Sequence, residues 1–102
     1  MNELDHAVER LVNRVSHWTP PRWAASSASG SGSRADVMHA LVQQVADLAA
    51  AAEGLPRRPV PRLDNDLALP DQLRVVAADL ARAGDPAAAE TAAKLIATTF
   101  RE

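Results

Sequence analysis

Histidine is the residue type in this chain best suited to bind a metal ion or to transfer protons near neutral pH, and the sequence contains three. His6 and His17 lie eleven residues apart in the first predicted helix, about 16 Å along its axis, which is too far for a shared metal. His39 follows Asp36 by three residues, a spacing at which the two side chains could hold a metal or a carboxylate could orient an imidazole. Both residues lie outside the apolar arc of their helix, so a solvated helix face is the simpler interpretation and a metal site at His39 is the alternative.

The two tryptophans and the stretch DVMHAL at positions 36–41 resemble the DinB family. Trp18 lies near the end of the first predicted helix, and Trp23 lies in the loop that follows. The same pattern, which covers residues 15–48, is similar to the N-terminal domains of mycothiol-dependent maleylpyruvate isomerases. The resemblance implies a four-helix bundle with one divalent metal and with His39 as its first ligand. The spacing after His39 departs from the family, and the last two predicted helices contain no histidine, so the resemblance implies a shared bundle without the full metal site.

A second group of candidate residues lies in the basic, proline-rich stretch LPRRPVPR at positions 55–62. Arg57, Arg58 and Arg62 could dock on an acidic or aromatic groove as part of an extended polyproline ligand. The alternative is a solvated connection whose prolines limit the entropy of the unfolded chain. Nucleic-acid binding is disfavoured, because the arginines are followed at once by aspartates and no aromatic residue lies among them.

Four amphipathic segments position these residues. In each segment, apolar residues recur at steps of three and four, which predicts an α-helix. The predicted helices lie near residues 2–17, 34–53, 70–83 and 86–101. Ser33 and Asp36 form a capping box that opens the second helix, and its apolar arc of roughly 140° predicts contact with two neighbouring helices. The prediction is one all-α domain over residues 1–102, a four-helix up-and-down bundle.

The connections between the predicted helices differ in character. Residues 18–32 are a Trp- and Pro-containing stretch followed by a Ser/Gly-rich run, which predicts a flexible loop. Residues 55–69 form a Pro/Arg-rich connection of about fifteen residues, which is long for a bundle, where connections usually have 2–8 residues. The tight turn at Gly84 predicts that the last two helices are antiparallel neighbours.

Composition limits the classes of function. The chain has a formal net charge of -2 and no cysteine, which excludes thiolate metal sites and cysteine nucleophiles. There is no apolar run of about 20 residues and no signal-peptide pattern at the N-terminus. Alanine is abundant and arginine far outnumbers lysine, which is typical of a GC-rich bacterial genome. We therefore expect a cytoplasmic bacterial protein that has no cofactor and binds neither membranes nor nucleic acid.

These observations predict a small non-enzymatic helical interaction module that binds a protein partner or self-associates as a dimer. The candidate contact residues are Trp23, Val75, Arg57, Arg58 and Arg62. Val75 is included because it points to the polar side of its helix. One alternative is a divergent DinB-like metal-binding enzyme or thiol-transferase relative, with one divalent metal at His39. A second alternative is a bundle that binds an apolar small molecule near Trp18 and Trp23.

Overall fold

The computed structural model describes residues 2–28, 30 and 32–100. Most of this part of the chain is helical and none of it forms a strand, although Ser26 and Ser33 make an isolated antiparallel bridge. The all-α prediction is therefore confirmed. The α-helices of the described residues are α1 (Glu3–Val15), α2 (Pro20–Ala24), α3 (Arg34–Glu53), α4 (Leu69–Ala83) and α5 (Pro86–Thr98), with a 3-10 turn at Asp66–Ala68 before α4.

The ends of the long helices follow local capping signals. The Asp5 amide donates to Asn2 Oδ1 at 2.8 Å at the start of α1. At the start of α3 the Asp36 amide donates to Ser33 Oγ at 3.0 Å, and the Ser33 amide donates to Asp36 Oδ2 at 3.0 Å. This is the predicted capping box. α3 ends at Gly54, whose φ of 70° is the left-handed conformation that glycine adopts without a steric penalty.

The predicted loop over residues 18–32 contains the short helix α2. Its first two positions are prolines, which suit the first turn of a helix because their φ is fixed near the helical value and their missing amide hydrogen is not needed there. α2 places Trp23 in the core, where 1% of its surface is exposed. The prediction of a flexible Ser/Gly run falls partly on Ser29 and Ser31, which lie outside the described residues.

The apolar faces of the four long helices meet in one core that also contains both tryptophans. The largest fully buried side chains are Trp23, Leu4, Met38, Leu73, Leu80, Ile96, Val15, Val42 and Val45. Burial of each large apolar side chain stabilises the fold by roughly 1.5–3 kcal/mol relative to exposure. Most of the periodic apolar positions of these helices therefore lie in this core or pack against it.

α3 and α4 begin at the same end of the molecule, which differs from the predicted up-and-down order. The connection between them, residues 55–65 (the strap), runs back along α3 instead of turning at its end. Val60 lies beside His39, and Arg62 reaches Asp36 in the first turn of α3 at 3.0 Å. The strap is long enough for this return, because eleven extended residues span about 36 Å and the 20 residues of α3 span about 30 Å.

α1 and α5 both run toward the end at which α3 and α4 begin. Phe100, just after α5, packs edge to face on Trp18, just after α1, with ring centroids 5.0 Å apart. Arg34, the first residue of α3, lies over the Trp18 ring. α3 packs mainly on α4, and α1 packs mainly on α5. The turn at Gly84 joins α4 to α5. Each of these two helices packs less on the other than on α1 and α3, so they are not the close neighbours that the turn predicts.

Candidate binding groove between the strap and α4

Side chains of α3 hold the strap by its backbone. Gln43 Oε1 accepts from the Val60 amide at 2.7 Å, and Gln43 Nε2 donates to the Arg58 carbonyl at 3.0 Å. His39 Nε2 lies 3.0 Å from the Val60 carbonyl oxygen. Because a carbonyl oxygen only accepts, Nε2 of His39 must carry the hydrogen. These bonds satisfy backbone groups that have no helix or sheet to pair them, and they fix the course of the strap.

Ion pairs fix the end of the strap next to α4. The Arg62 guanidinium lies 3.0 Å from an Asp36 carboxylate oxygen and 3.7 Å from an Asp66 carboxylate oxygen. The Ser33 amide and then the Arg62 guanidinium hold the pKa of Asp36 below its ordinary value, because both hydrogen-bond to the ionised carboxylate. Arg62 is therefore engaged within the chain.

A groove of about 630 Å³ lies between the strap, the second half of α3 and α4. Leu55 and Leu63 of the strap, 56% and 45% exposed, line it together with Val75 of α4, which is 62% exposed. Among the described residues, Leu67 is the one other exposed large hydrophobic side chain. Exposed apolar surface is thus concentrated in a single concave patch, which is typical of an interaction site.

The walls of the groove carry opposite charges. Arg58 lies on the strap wall, whereas Asp71 and Asp79 lie on the α4 wall, and Glu53 lines the groove at the end of α3. Arg82, also on α4, pairs with Asp79. In the part of the chain that the structure describes, Asp71 makes no ion pair and its carboxylate is free to meet a cation from outside. The groove therefore combines an apolar interior with Arg58 on one wall and Asp71, unpaired among the described residues, on the other.

Gln72, which lines the groove, has a buried acceptor without a partner in the described part of the chain. Its Nε2 donates to the Pro61 carbonyl at 3.0 Å, while its Oε1 is buried and has no hydrogen-bond partner among the described atoms. A buried polar atom without a partner costs about 1–3 kcal/mol. Gln72 therefore holds the strap through its Nε2 at the cost of an acceptor that the described residues leave unsatisfied.

The groove brings together two of the five predicted contact residues, Val75 and Arg58. Arg57 lines a separate cleft between α3 and α5, and Arg62 is engaged by carboxylates of its own chain. Trp23 is almost fully buried, so no partner can reach its indole ring in this conformation. The predicted contact role of Trp23 is corrected accordingly, because α2 turns the ring into the core.

Trp18 and Trp23 form a closed aromatic cluster with Phe100. The tryptophan ring centroids are 4.8 Å apart, and the Trp23 and Phe100 centroids are 6.4 Å apart. The Arg22 guanidinium lies over the Trp18 ring at 5.0 Å. Edge-to-face aromatic pairs contribute roughly 0.5–1.5 kcal/mol beyond the area that they bury. The binding of an apolar ligand at the tryptophans stays a prediction, and it requires this cluster to open.

The surroundings of His39 give the metal hypothesis no further ligands. Across residues 2–28, 30 and 32–100, no group of three His, Cys, Asp or Glu side chains is arranged to hold a metal ion. Asp36 is bound by Ser33 and Arg62, and His39 Nε2 is bound to the Val60 carbonyl. A metal at His39 stays a prediction, and its binding through Nε2 would release the strap at Val60.

Sequence reasoning missed Leu55, Leu63 and the two glutamines that bind the strap, Gln43 and Gln72. Leu55 continues the apolar spacing of α3, which predicts a buried residue, and Leu63 stands alone between polar and proline residues. The glutamines gave no signal, because their partners are backbone atoms distant in the sequence.

Comparisons with protein-family models, with curated proteins and with solved structures found no match to this chain. Among the described helices, none combines the length and the apolar character needed to cross a bilayer.

Proposed function

We propose that this chain is a non-enzymatic helical interaction module that pairs with a second copy of itself through the groove between the strap and α4. The observation that carries the proposal is the concentration of exposed Leu55, Leu63 and Val75 along one concave surface. Covering these side chains would remove apolar surface from water, which is worth about 25 cal/mol per Å². This gain is the driving force for association.

The charges on the two walls favour a second copy as the occupant. A two-fold symmetric dimer uses the same surface twice, so the strap wall of one copy can face the α4 wall of the other. In this arrangement Val75 of each copy packs between Leu55 and Leu63 of the other. Arg58 of each copy then lies opposite Asp71 of the other. Facing opposite charges stabilise this orientation over orientations that bring like charges together.

The helices supply rigid support for both walls. We infer that the four long helices form a four-helix bundle of the type with a long crossover connection, with the strap as the crossover. α4 provides one wall through its outer face. The hydrogen bonds from Gln43 and His39 hold the other wall, the strap, on α3. Both walls would then be formed before association, which lowers the entropic cost of binding.

Charge reversal at the groove tests the proposal. Arg58→Asp places like charges across the symmetric interface, and Asp71→Arg does the same from the other wall. Each variant should therefore shift the protein toward monomer in size-exclusion chromatography with light scattering. The double variant R58D/D71R exchanges the two charges and should restore the dimer. Arg57→Asp is the matched control, because it makes the same change at the adjacent residue, which lines a different cleft.

Two results would contradict the proposal. The first is a wild-type protein that stays monomeric at all concentrations that can be reached. The second is an Arg57→Asp variant that dissociates as completely as Arg58→Asp, because this would show a response to net charge and not to the groove.

A further inference from the structure

A further cleft, of about 460 Å³, lies between α1 and α5 and shares no lining residue with the groove beside the strap. His6, Arg10 and Arg14 line it from α1, and because they follow one another at intervals of four residues they share one side of that helix. Lys94 lines the opposite wall from α5. Arg10 and Arg14 on one helix and Lys94 on the other therefore place positive charge on both sides of the opening, and Glu3 is the one carboxylate among the described lining residues.

Alanines open this cleft between the two helices. Ala7 of α1 faces Ala93 and Ala97 of α5 across it, and their single methyl groups leave space that larger side chains would fill. Leu11 and Ile96 also line the cleft and are buried. The cleft thus has an apolar floor beneath a cationic rim, and its volume lies within the range of small-molecule sites, about 300–1,000 Å³.

The positive charge of the rim is only partly neutralised within the chain. Glu90 offsets the charge of Lys94 at 3.2 Å, whereas Arg14 donates to the neutral Phe100 carbonyl at 3.2 Å and keeps its net charge. Among the described residues, Arg10 has no hydrogen-bond or ion-pair partner. Like charges four residues apart on a helix are mutually destabilising, and the chain as a whole has a net charge of -2. The local excess of cations therefore favours a bound anion.

We propose that this cleft binds a small organic phosphate. The Arg10 guanidinium can form paired hydrogen bonds with phosphate oxygens, and the Lys94 ammonium can approach the same group from the other wall. A phosphate monoester carries close to two negative charges at neutral pH, which suits cations on both sides. The alanine floor accommodates the organic part. The site uses α1 and α5, so it is independent of self-association through the strap and α4.

Titration of the full chain with phenyl phosphate, followed by amide NMR, tests this site. We expect saturable shifts at the amides of α1 and α5, with affinity that falls as salt is added. Arg10→Gln and Lys94→Gln should each weaken binding by about tenfold, since each removes a charge-assisted contact. Arg57→Gln removes an exposed arginine elsewhere and should leave the affinity unchanged. Phenol, which lacks the phosphate, should give no saturable shift at these amides.

Three outcomes would overturn the proposal. One is the absence of saturation by phenyl phosphate, and another is unchanged affinity in both Arg10→Gln and Lys94→Gln. The third is binding of benzoate as tight as that of phenyl phosphate, which would show that the cleft does not select phosphate. The amide spectrum of each variant also reports whether it is folded, so misfolding cannot be mistaken for loss of the site.

Discussion

Replacement of Gln43 by alanine should release the strap from α3. The side chain accepts from the Val60 amide and donates to the Arg58 carbonyl, and each such bond contributes about 1 kcal/mol net. Their loss should therefore favour local opening of the strap by about 2 kcal/mol, which is roughly a 30-fold rise in the open population. Gln43 also donates to Asp47 at 2.9 Å. The Asp47 side chain is only half-buried, so water can replace this bond in the variant, and its loss is not counted in the roughly 30-fold effect.

Hydrogen exchange at the Val60 amide measures this opening directly, because the amide exchanges when it leaves Gln43 Oε1. We expect Gln43→Ala to accelerate exchange at Val60 by roughly 30-fold and to leave the core of α3 protected. Gln44→Ala is the matched control, since it makes the same substitution at the next residue, which is exposed. Equal exchange at Val60 in the two variants would refute the view that Gln43 holds the strap.

Three further predictions concern the scaffold. Ser33→Ala should lower the free energy of unfolding by about 1 kcal/mol in urea denaturation, because it removes the acceptor for the Asp36 amide; an unchanged midpoint would contradict this. The pKa of Asp36 in the folded state is lower than its ordinary value of 3.8. As the pH falls, the carboxylate therefore takes up a proton in the unfolded chain first. The stability that Asp36 adds is lost as the pH falls through the lowered pKa. Asp36→Asn should remove this part of the acid dependence in urea denaturation at neutral and acid pH, and an unaltered profile would refute the assignment. Trp23→Ala should cost about 3–5 kcal/mol in the same assay because the indole is buried, and a cost near zero would show that the ring does not pack in the core.

Helix boundaries were predictable because their causes are local. The capping box of Ser33 and Asp36 and the glycine at position 54 act within a few residues, and the structure places the ends of α3 there. The directions of the helices were not predictable from such signals. The sequence shows that the strap is long enough to return along α3. Its course, however, depends on hydrogen bonds from Gln43 and His39 to backbone atoms that are distant in the sequence.

The groove was predictable only in part, for related reasons. Val75 could be identified because a helix has a period, and an apolar residue outside the apolar stripe is recognisable. Leu55 continues the apolar spacing of α3, which predicts burial, but it lies beyond the end of that helix. Leu63 lies in a segment without periodicity, so the sequence does not show which way it faces. Arg57 and Arg58 are the same residue type at adjacent positions, and only the path of the strap sends them to different clefts.

Sedimentation equilibrium of the untagged chain tests self-association through the groove most directly. The wild-type protein should show a mean mass that rises with concentration from one chain to two. Val75→Asp places a charge at the centre of the proposed interface and should keep the mass at one chain, while the exposure of Val75 leaves the fold intact. A wild-type mass of one chain throughout, or a Val75→Asp variant that dimerises as tightly as the wild type, would contradict the proposal.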